Sequence, residues 1–332
     1  GAGPWSMLAF FAVAAALGPV GVGGFGFPVK LPMFAGFPKF GAPAAEVSSV
    51  GAELASLLGG AAGIDASFVA LKCAEDVIWE DLSEKEPAVG RDAVEALLRK
   101  KYPAGARLNV GRTAGTAVSG GCTWRRERVG EPEAYGLRGT TFARKNDAGL
   151  LVYVREGNEP IFKPGEYTEK LLKAVTANAP KVAKNVTFVQ RDPNGAADVV
   201  TYLWDEAYPR GASPAEALRL FAEDIVYEDF NYPASFVGKA AVKDFIEAFD
   251  IPGIAFVPTE ISGGGQACCF TWQVTVNGNA GPKGISFYEV DSAGKVCFIR
   301  DIPAASLTPP PLTQLAALKD PQLRVFTPRP AQ

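Results

Sequence analysis

The sequence predicts two α+β domains in tandem, preceded by an apolar N-terminal segment for which we favour a membrane span. Three observations support this fold class: an internal repeat, helices before strands in each copy, and no charged residue before Lys30. At 332 residues the chain is long enough for two cores. We expect these boundaries: an apolar anchor and aromatic strap at 1–43, domains at 46–175 and 196–307, a linker at 176–195 and a Pro-rich arm at 308–332.

The first 29 residues are wholly uncharged. A helix over residues 5–17 would be about 20 Å long, short of the roughly 30 Å hydrocarbon core, while its extension to Val29 has the length but contains helix-weakening glycines. The segment lacks the basic flank that precedes the apolar stretch of a cleavable signal peptide. Two interpretations remain, a core helix and a membrane span. We favour the span, with the domains on the cytoplasm-like side, because Lys30 and Lys39 follow it.

The internal repeat is the most informative feature of the chain. The segment Glu75–Asp81 (EDVIWED) recurs as Glu223–Asp229 (EDIVYED), 148 residues later. Four more blocks recur in the same order, the last two at an offset of 145: VGRDAV with VGKAAV, TW with TW, GTTF with GISF, and VRE with IRD. This pattern indicates a duplicated domain. We call residues 46–175 and 196–307 the first and second repeats.

Within each repeat the helices come first. We expect helices at about 49–58 and 196–207, second helices opened by Asp65 and by a Ser213–Glu216 capping box, and third helices opened by Gly90 and Gly238. A short strand precedes each third helix, and the remaining strands form a meander. Those strands are predicted at 107–113, 121–129, 137–145 and 150–156, then at 254–261, 267–277, 283–290 and 295–301. This order favours α+β over βαβ.

The repeated motifs, ED-x-x-[WY]-ED, VG-[KR], TW, [RK]G-x-[ST]-F and R-[ED], resemble SnoaL-like polyketide-cyclase domains of the NTF2-like superfamily, over about 46–165 and 194–307. The resemblance implies a cone, in which a curved sheet wraps helices around an apolar pocket. It also implies that a carboxylate meets a histidine or tyrosine inside the cone of enzymatic members. Membrane-tethered relatives in the plastids of algae and plants are a looser resemblance, which implies a thylakoid location on the stromal side.

Composition excludes several classes of function. A net charge of −3 without a basic stripe argues against nucleic-acid binding. The five cysteines are odd in number and form no CxxC pair, so we expect free thiols in a reducing compartment. The chain has no histidine, which removes the usual general base and the commonest metal ligand. We expect no tightly bound transition metal, and no cofactor held tightly by the two domains.

The second repeat holds the better candidate for a catalytic site. The candidates are a carboxylate among aromatic rings and its neighbours: Asp229, Tyr227, Tyr232, Trp272 and Asp301. A desolvated carboxylate has a raised pKa and acts as a base. The competing interpretation is structural: Asp81 and Asp229 cap turns, the tryptophans are core, and Arg155–Glu156 and Arg300–Asp301 are neighbouring ion pairs at a sheet rim. Arg126 and Arg128 also stand where the second repeat has Val274 and Val276, so the pocket walls have diverged.

We therefore expect a non-enzymatic scaffold subunit that docks on a membrane protein assembly, such as a thylakoid photosystem–antenna complex. Its partners would be the subunits of that complex and the lipid bilayer. Chlorophyll, carotenoid or lipid would lie along the N-terminal segment, in contact with Trp5, Phe10, Phe11, Phe25, Phe27 and Phe34. The alternatives are an isomerase, cyclase or dehydratase acting on an apolar cyclic substrate, and a small-molecule-binding module.

Overall fold

The computed structural model describes residues 48–60, 63–103, 105–127, 137–160, 162–177 and 188–304. The expected N-terminal anchor, its six aromatic contact residues and the Pro-rich arm lie outside the described residues and stay predictions. Among the residues that are described, no helix is long and apolar enough to span a membrane.

The elements predicted for each repeat are present in the predicted order, and they are accompanied by two short strands and one helix that were not predicted. The first repeat comprises α1 (Val50–Leu58), α2 (Ala66–Leu71), β1 (Cys73–Asp81), β2 (Ala88–Val89), α3 (Arg91–Lys101), β3 (Leu108–Gly115), β4 (Ser119–Arg126), β5 (Arg138–Lys145), β6 (Leu151–Asn158) and α4 (Glu166–Val175). The second comprises α5 (Ala196–Thr201), α6 (Ala215–Leu220), β7 (Phe221–Asp229), β8 (Phe236–Val237), α7 (Lys239–Ala248), β9 (Ile254–Gly263), β10 (Ala267–Val276), β11 (Asn279–Val290) and β12 (Val296–Pro303). Helix α5 continues as a π-helical segment, Tyr202–Ala207.

Each repeat builds one six-stranded sheet with the same strand order. The orders are β2-β1-β6-β5-β4-β3 and β8-β7-β12-β11-β10-β9. In each sheet the first long strand pairs in parallel with the last, and the neighbouring pairs are antiparallel. The duplication that the sequence predicts is therefore present as two α+β units with one topology.

Local sequence accounts for several helix starts. Ser49 and Asp65 cap α1 and α2, each accepting a hydrogen bond from a backbone N–H three residues on. Gly90 and Gly238 precede α3 and α7 at φ of 88° and 84°, a backbone conformation that favours glycine. The sequence predicted three of these helix starts, those at Asp65, Gly90 and Gly238.

The predicted capping box at Ser213–Glu216 is wrong. The residue before α6 is Pro214, and no side chain caps this helix. The carboxylate of Glu216 instead accepts hydrogen bonds from Tyr202, Gln190 and Arg219. Glu216 is buried, and a buried carboxylate is costly unless hydrogen-bond donors compensate its charge. Its oxygens are therefore engaged by these side chains and not by the backbone at the start of the helix.

Three apolar cores stabilise the structure. One lies between the helices and sheet of the first repeat, and a second lies in the same place in the second repeat. The third lies between the two sheets and includes Phe142, Phe230, Phe287 and Ile302. One face of each sheet thus covers its own helices, and the opposite face packs on the other repeat.

Candidate functional site

The same framework of side chains lines the interior of both repeats. In the first, the Trp124 indole donates to Thr141 Oγ1 at 2.9 Å, and Thr141 donates to the carboxylate of Glu156 at 3.4 Å. In the second, the Trp272 indole donates to Ser286 Oγ at 2.7 Å, and Ser286 donates to Asp301. Each interior therefore holds a buried carboxyl group on its last strand, oriented by a hydroxyl and an indole.

A second carboxyl group enters each interior from the end of the first long strand. Asp81 Oδ1 accepts hydrogen bonds from the Ser83 backbone and hydroxyl, and Asp229 Oδ1 accepts one from the Asn231 backbone. Both aspartates thus cap the following turn, as the structural interpretation of the sequence proposed. Both are also buried, so each repeat contains two desolvated carboxyl groups.

A lysine neutralises the pair of carboxylates in the first repeat. The Lys101 ammonium, at the end of α3, contacts Asp81 and lies 2.5 Å from Glu156 Oε1. Burial disfavours the charged ammonium, but the two carboxylates outweigh burial and raise the pKa of Lys101. The Tyr102 hydroxyl also donates to Glu156 at 2.6 Å. These groups are committed to one another, so they suit binding better than proton transfer.

Next to this cluster lies a cavity of about 170 Å³. Its walls combine aromatic rings with hydrogen-bonding and cationic groups: Ser83, Lys101, Tyr102, Trp124, Arg126, Leu137 and Asn158. Arg126 lies on the same face of β4 as Trp124, as period-two alternation predicts. The volume would accommodate about five or six water molecules, or a correspondingly small organic ligand.

The second repeat has no such lysine, because Phe249 occupies the position equivalent to Lys101. Among the described residues, neither Asp229 nor Asp301 forms a salt bridge. Burial, followed by the charge of Asp301, raises the pKa of Asp229 to about 7. Burial also raises the pKa of Asp301 to about 6, although hydrogen bonds from Ser286 and Tyr227 oppose this. Both carboxyl groups thus titrate where a histidine would.

Aromatic side chains surround the two aspartates. The Tyr227 hydroxyl donates to Asp301 Oδ2, and burial keeps the pKa of Tyr227 well above its usual value. Its ring contacts Phe245 edge-to-face, with ring centroids 5.0 Å apart. The ring of Tyr232 also contacts Phe245 edge-to-face, with ring centroids 5.3 Å apart. The structure therefore gathers Tyr227, Asp229, Asp301 and Trp272 around one interior, with Tyr232 at its edge.

The predicted ion pairs within Arg155–Glu156 and Arg300–Asp301 are wrong. Arg155 bonds to Glu80, and Arg300 bonds to Glu228. Successive residues of a strand point to opposite faces, so each arginine lies between the sheets while its neighbouring carboxyl group lies in the interior. None of the four side chains is at a solvent-exposed rim.

Three groups of the first-repeat site were not predicted from the sequence: Lys101, Tyr102 and Glu156. Lys101 and Tyr102 end a helix whose last turn is basic, a pattern that is common on solvated helix ends. The signal that would have found Lys101 is the comparison of the two repeats, because its equivalent, Phe249, carries no charge.

Residues 188–299, which include most of the second repeat, match the family model for the SnoaL-like domain. No curated protein matches the chain. Similar solved structures include an NTF2-like protein of unknown function from Mesorhizobium loti, at 20% identity over 32% of this chain and 88% of that one, with a TM-score of 0.28. A candidate ketosteroid isomerase from Kribbella flavida is 26% identical over 29% and 70%, with a TM-score of 0.25. A candidate polyketide cyclase from Sinorhizobium meliloti is 18% identical over 31% and 93%, with a TM-score of 0.26.

Proposed function

We propose that the second repeat is an acid–base site that moves a proton on a small apolar cyclic carbonyl compound, as an isomerase or cyclase of the SnoaL-like type. The observation that carries this proposal is the pair of buried carboxyl groups, Asp229 and Asp301, with pKa values of about 7 and about 6. The absence of histidine argued against such chemistry at first. Two desolvated carboxyl groups replace histidine as groups that change charge near neutral pH.

Asp229 is the proposed base. A base is most effective when its pKa lies near the working pH, because it is then largely ionised and still binds a proton strongly. The carbon next to a carbonyl group is the kind of acid that such a base can deprotonate, since the charge moves to the carbonyl oxygen. Asp229 would take that proton from one carbon and return it to another. In a cyclisation the carbanion would attack a second carbonyl carbon of the substrate, and the alkoxide formed when that C=O π bond opens would take the proton back from Asp229.

The new charge on oxygen needs a hydrogen-bond donor. Tyr227 keeps its proton because burial raises its pKa well above the usual value of 10. Its hydroxyl would be the donor, turning from Asp301 Oδ2 to the substrate oxygen. The rings of Phe245 and Trp272 make the surroundings apolar, which strengthens this hydrogen bond. A flat, apolar substrate would enter past the half-buried rings of Tyr232 and Phe236.

A small test substrate examines this directly. Cyclohex-3-enone contains an acidic C–H between a carbonyl group and a double bond, and its isomerisation to cyclohex-2-enone creates a conjugated system visible by ultraviolet absorbance. We expect Asp229→Asn to lower the rate by at least about a hundredfold. The matched control is Asp224→Asn, an exposed carboxylate on the same strand. Equal rates for wild type and Asp229→Asn would refute the role of Asp229.

The first repeat supports a second candidate function, the binding of a small ligand without proton transfer. The specific observation is the cavity beside carboxylates that Lys101 already neutralises. Trp124 forms part of its wall, so an occupying molecule would alter tryptophan emission. Native mass spectrometry of the purified chain should detect a bound molecule of about a hundred daltons, and Trp124→Ala should reduce its occupancy.

A further inference from the structure

The interface between the two sheets contains contacts that recur when the repeats are exchanged. Arg155 bonds to Glu80 and reaches across to the carbonyl oxygens of Trp272 and Gly284, at 3.3 and 3.1 Å. Its equivalent, Arg300, bonds to Glu228 and reaches the carbonyl oxygen of Gly139 at 3.0 Å. Each repeat thus donates an equivalent arginine to an equivalent glycine carbonyl of the other repeat. The same contacts could therefore form between two copies of the first repeat or two copies of the second.

A second symmetric layer completes this frame. Lys283 bonds across the interface to Glu80 at 2.7 Å, and its equivalent Arg138 bonds to Glu228 at 2.7 Å. Both repeats thus supply one cation and one anion at matching positions. The frame aligns the sheets without distinguishing one repeat from the other.

The outer ion pairs do distinguish them. Arg112 bonds to Glu289 at 2.6 Å, and Arg144 bonds to Glu260 at 3.1 Å. The strand registers make Arg112 equivalent to Glu260 and Arg144 equivalent to Glu289. Both cations therefore belong to the first repeat and both anions to the second. Two first repeats in this arrangement would place arginine against arginine, and two second repeats would place glutamate against glutamate.

Side-chain size distinguishes the repeats in the same sense. Gly121 faces its own equivalent, Cys269: a Cβ added at Gly121 would lie 2.4 Å from the Cys269 sulfur. Gly157 faces its own equivalent, Ile302: a Cβ there would lie 2.8 Å from Ile302 Cγ2. The first repeat provides two spaces and the second provides the two side chains that fill them. Like repeats would bring two bulky residues together, or leave two gaps.

We infer that the two sheet faces form a heterotypic docking surface, which accepts the other repeat of this chain and rejects a copy of its own kind. Charge and size point the same way at four independent pairs of positions. Each repeat is thus a specific partner for the other. If two copies of the same repeat associated in this arrangement, charges of like sign would face each other. Two first repeats would also leave voids in the interface, and the side chains of two second repeats would overlap.

The inference can be tested on the full chain by introducing a protease site within residues 178–187 and cutting the folded protein. The dissociation constant of the two fragments is then measured by dilution, and their stoichiometry by native mass spectrometry. We expect one first repeat to remain bound to one second repeat. Homodimers of either fragment that form as readily as the mixed pair would overturn the inference.

Charge reversal tests the ionic part. Arg112→Glu with Arg144→Glu should weaken the mixed pair by about tenfold to a hundredfold, since two partly exposed attractions become repulsions. Adding Glu260→Arg and Glu289→Arg should restore the affinity to within about threefold. The control exchanges Lys243 and Glu247, an exposed pair on α7, and should change nothing. Failure of the fourfold variant to recover would overturn the charge assignment.

The size complementarity has its own test, which does not depend on cutting. Gly157→Ala should lower the melting temperature of the intact chain, because the new methyl group overlaps Ile302. Adding Ile302→Ala should recover part of that loss, although Ile302→Ala alone lowers stability by leaving a void. Strictly additive losses would show that the two positions do not pack against each other, which contradicts the inference.

Discussion

Replacing Asp229 with asparagine should stabilise the protein at alkaline pH and leave it nearly unchanged at acidic pH. The carboxyl group has a pKa of about 7 in the folded protein against a usual 3.8. The folded state therefore holds this proton more tightly than the unfolded state does. Stability from the protonated form is fully present below about pH 4 and is lost as pH rises to 7, which costs on the order of 4 kcal/mol once ionisation is complete.

Asparagine resembles the protonated acid in shape and still offers an oxygen to the Asn231 backbone N–H. Urea unfolding at pH 8 should therefore show a gain that approaches this value, whereas at pH 4 the difference should stay within about 1 kcal/mol. The matched control is Asp81→Asn, at the same position of the first repeat. It should lose stability at pH 8, because the Lys101 ammonium gives up a partner. A gain for Asp229→Asn that is equal at both pH values would refute the reasoning.

Three further changes have defined outcomes. Thr140 is fully buried, and its hydroxyl has no hydrogen-bond partner among the described residues. Thr140→Val should therefore raise the free energy of unfolding by about 1 kcal/mol in urea titrations, and a loss would contradict this. Lys101→Met leaves two buried carboxylates without their cation and should cost about 3–5 kcal/mol, whereas Lys100→Met, on an exposed neighbour, should cost almost nothing. A Cβ at Gly284 would lie 2.1 Å from the Trp272 ring, so Gly284→Ala should cost about 1–3 kcal/mol and shift tryptophan emission; unchanged emission would argue against it.

Much of the fold was accessible from the sequence because the repeat supplied two independent views of one pattern. The spacing from Glu75 to Glu223 set the alignment, and the order of helices before strands then indicated α+β topology. Helix α4 was not predicted, because it follows the last strand of the first repeat and has no described equivalent in the second. The backbone N–H of Gly165, the residue before this helix, donates to the Asn231 carbonyl oxygen of the second repeat. A contact between residues so far apart in the chain cannot be predicted from the local sequence.

The candidate site was only partly predictable. Asp229 and Asp301 were predicted because each lies in a repeated motif. Asp229 also stands beside Tyr227 in the sequence, and Asp301 lies on a strand that was expected to line or rim the pocket. The cluster of the first repeat combines Asp81, Lys101 and Glu156 from three separate elements, and only folding brings them together. The partner of Arg155 was predicted wrongly for the same reason. Arg155 and Glu156 are adjacent in the sequence but point to opposite faces of the sheet, and Arg155 pairs with Glu80 on the neighbouring strand.

The proposed chemistry depends above all on two carboxyl groups that titrate near neutral pH. Carboxyl carbon-13 NMR of aspartate-labelled protein measures this directly, with Asp229→Asn and Asp301→Asn used to assign the two signals. The account predicts midpoints of about 7 for Asp229 and about 6 for Asp301. Midpoints near 4 for both groups would contradict it, because neither carboxylate would then be a stronger base than an ordinary surface aspartate.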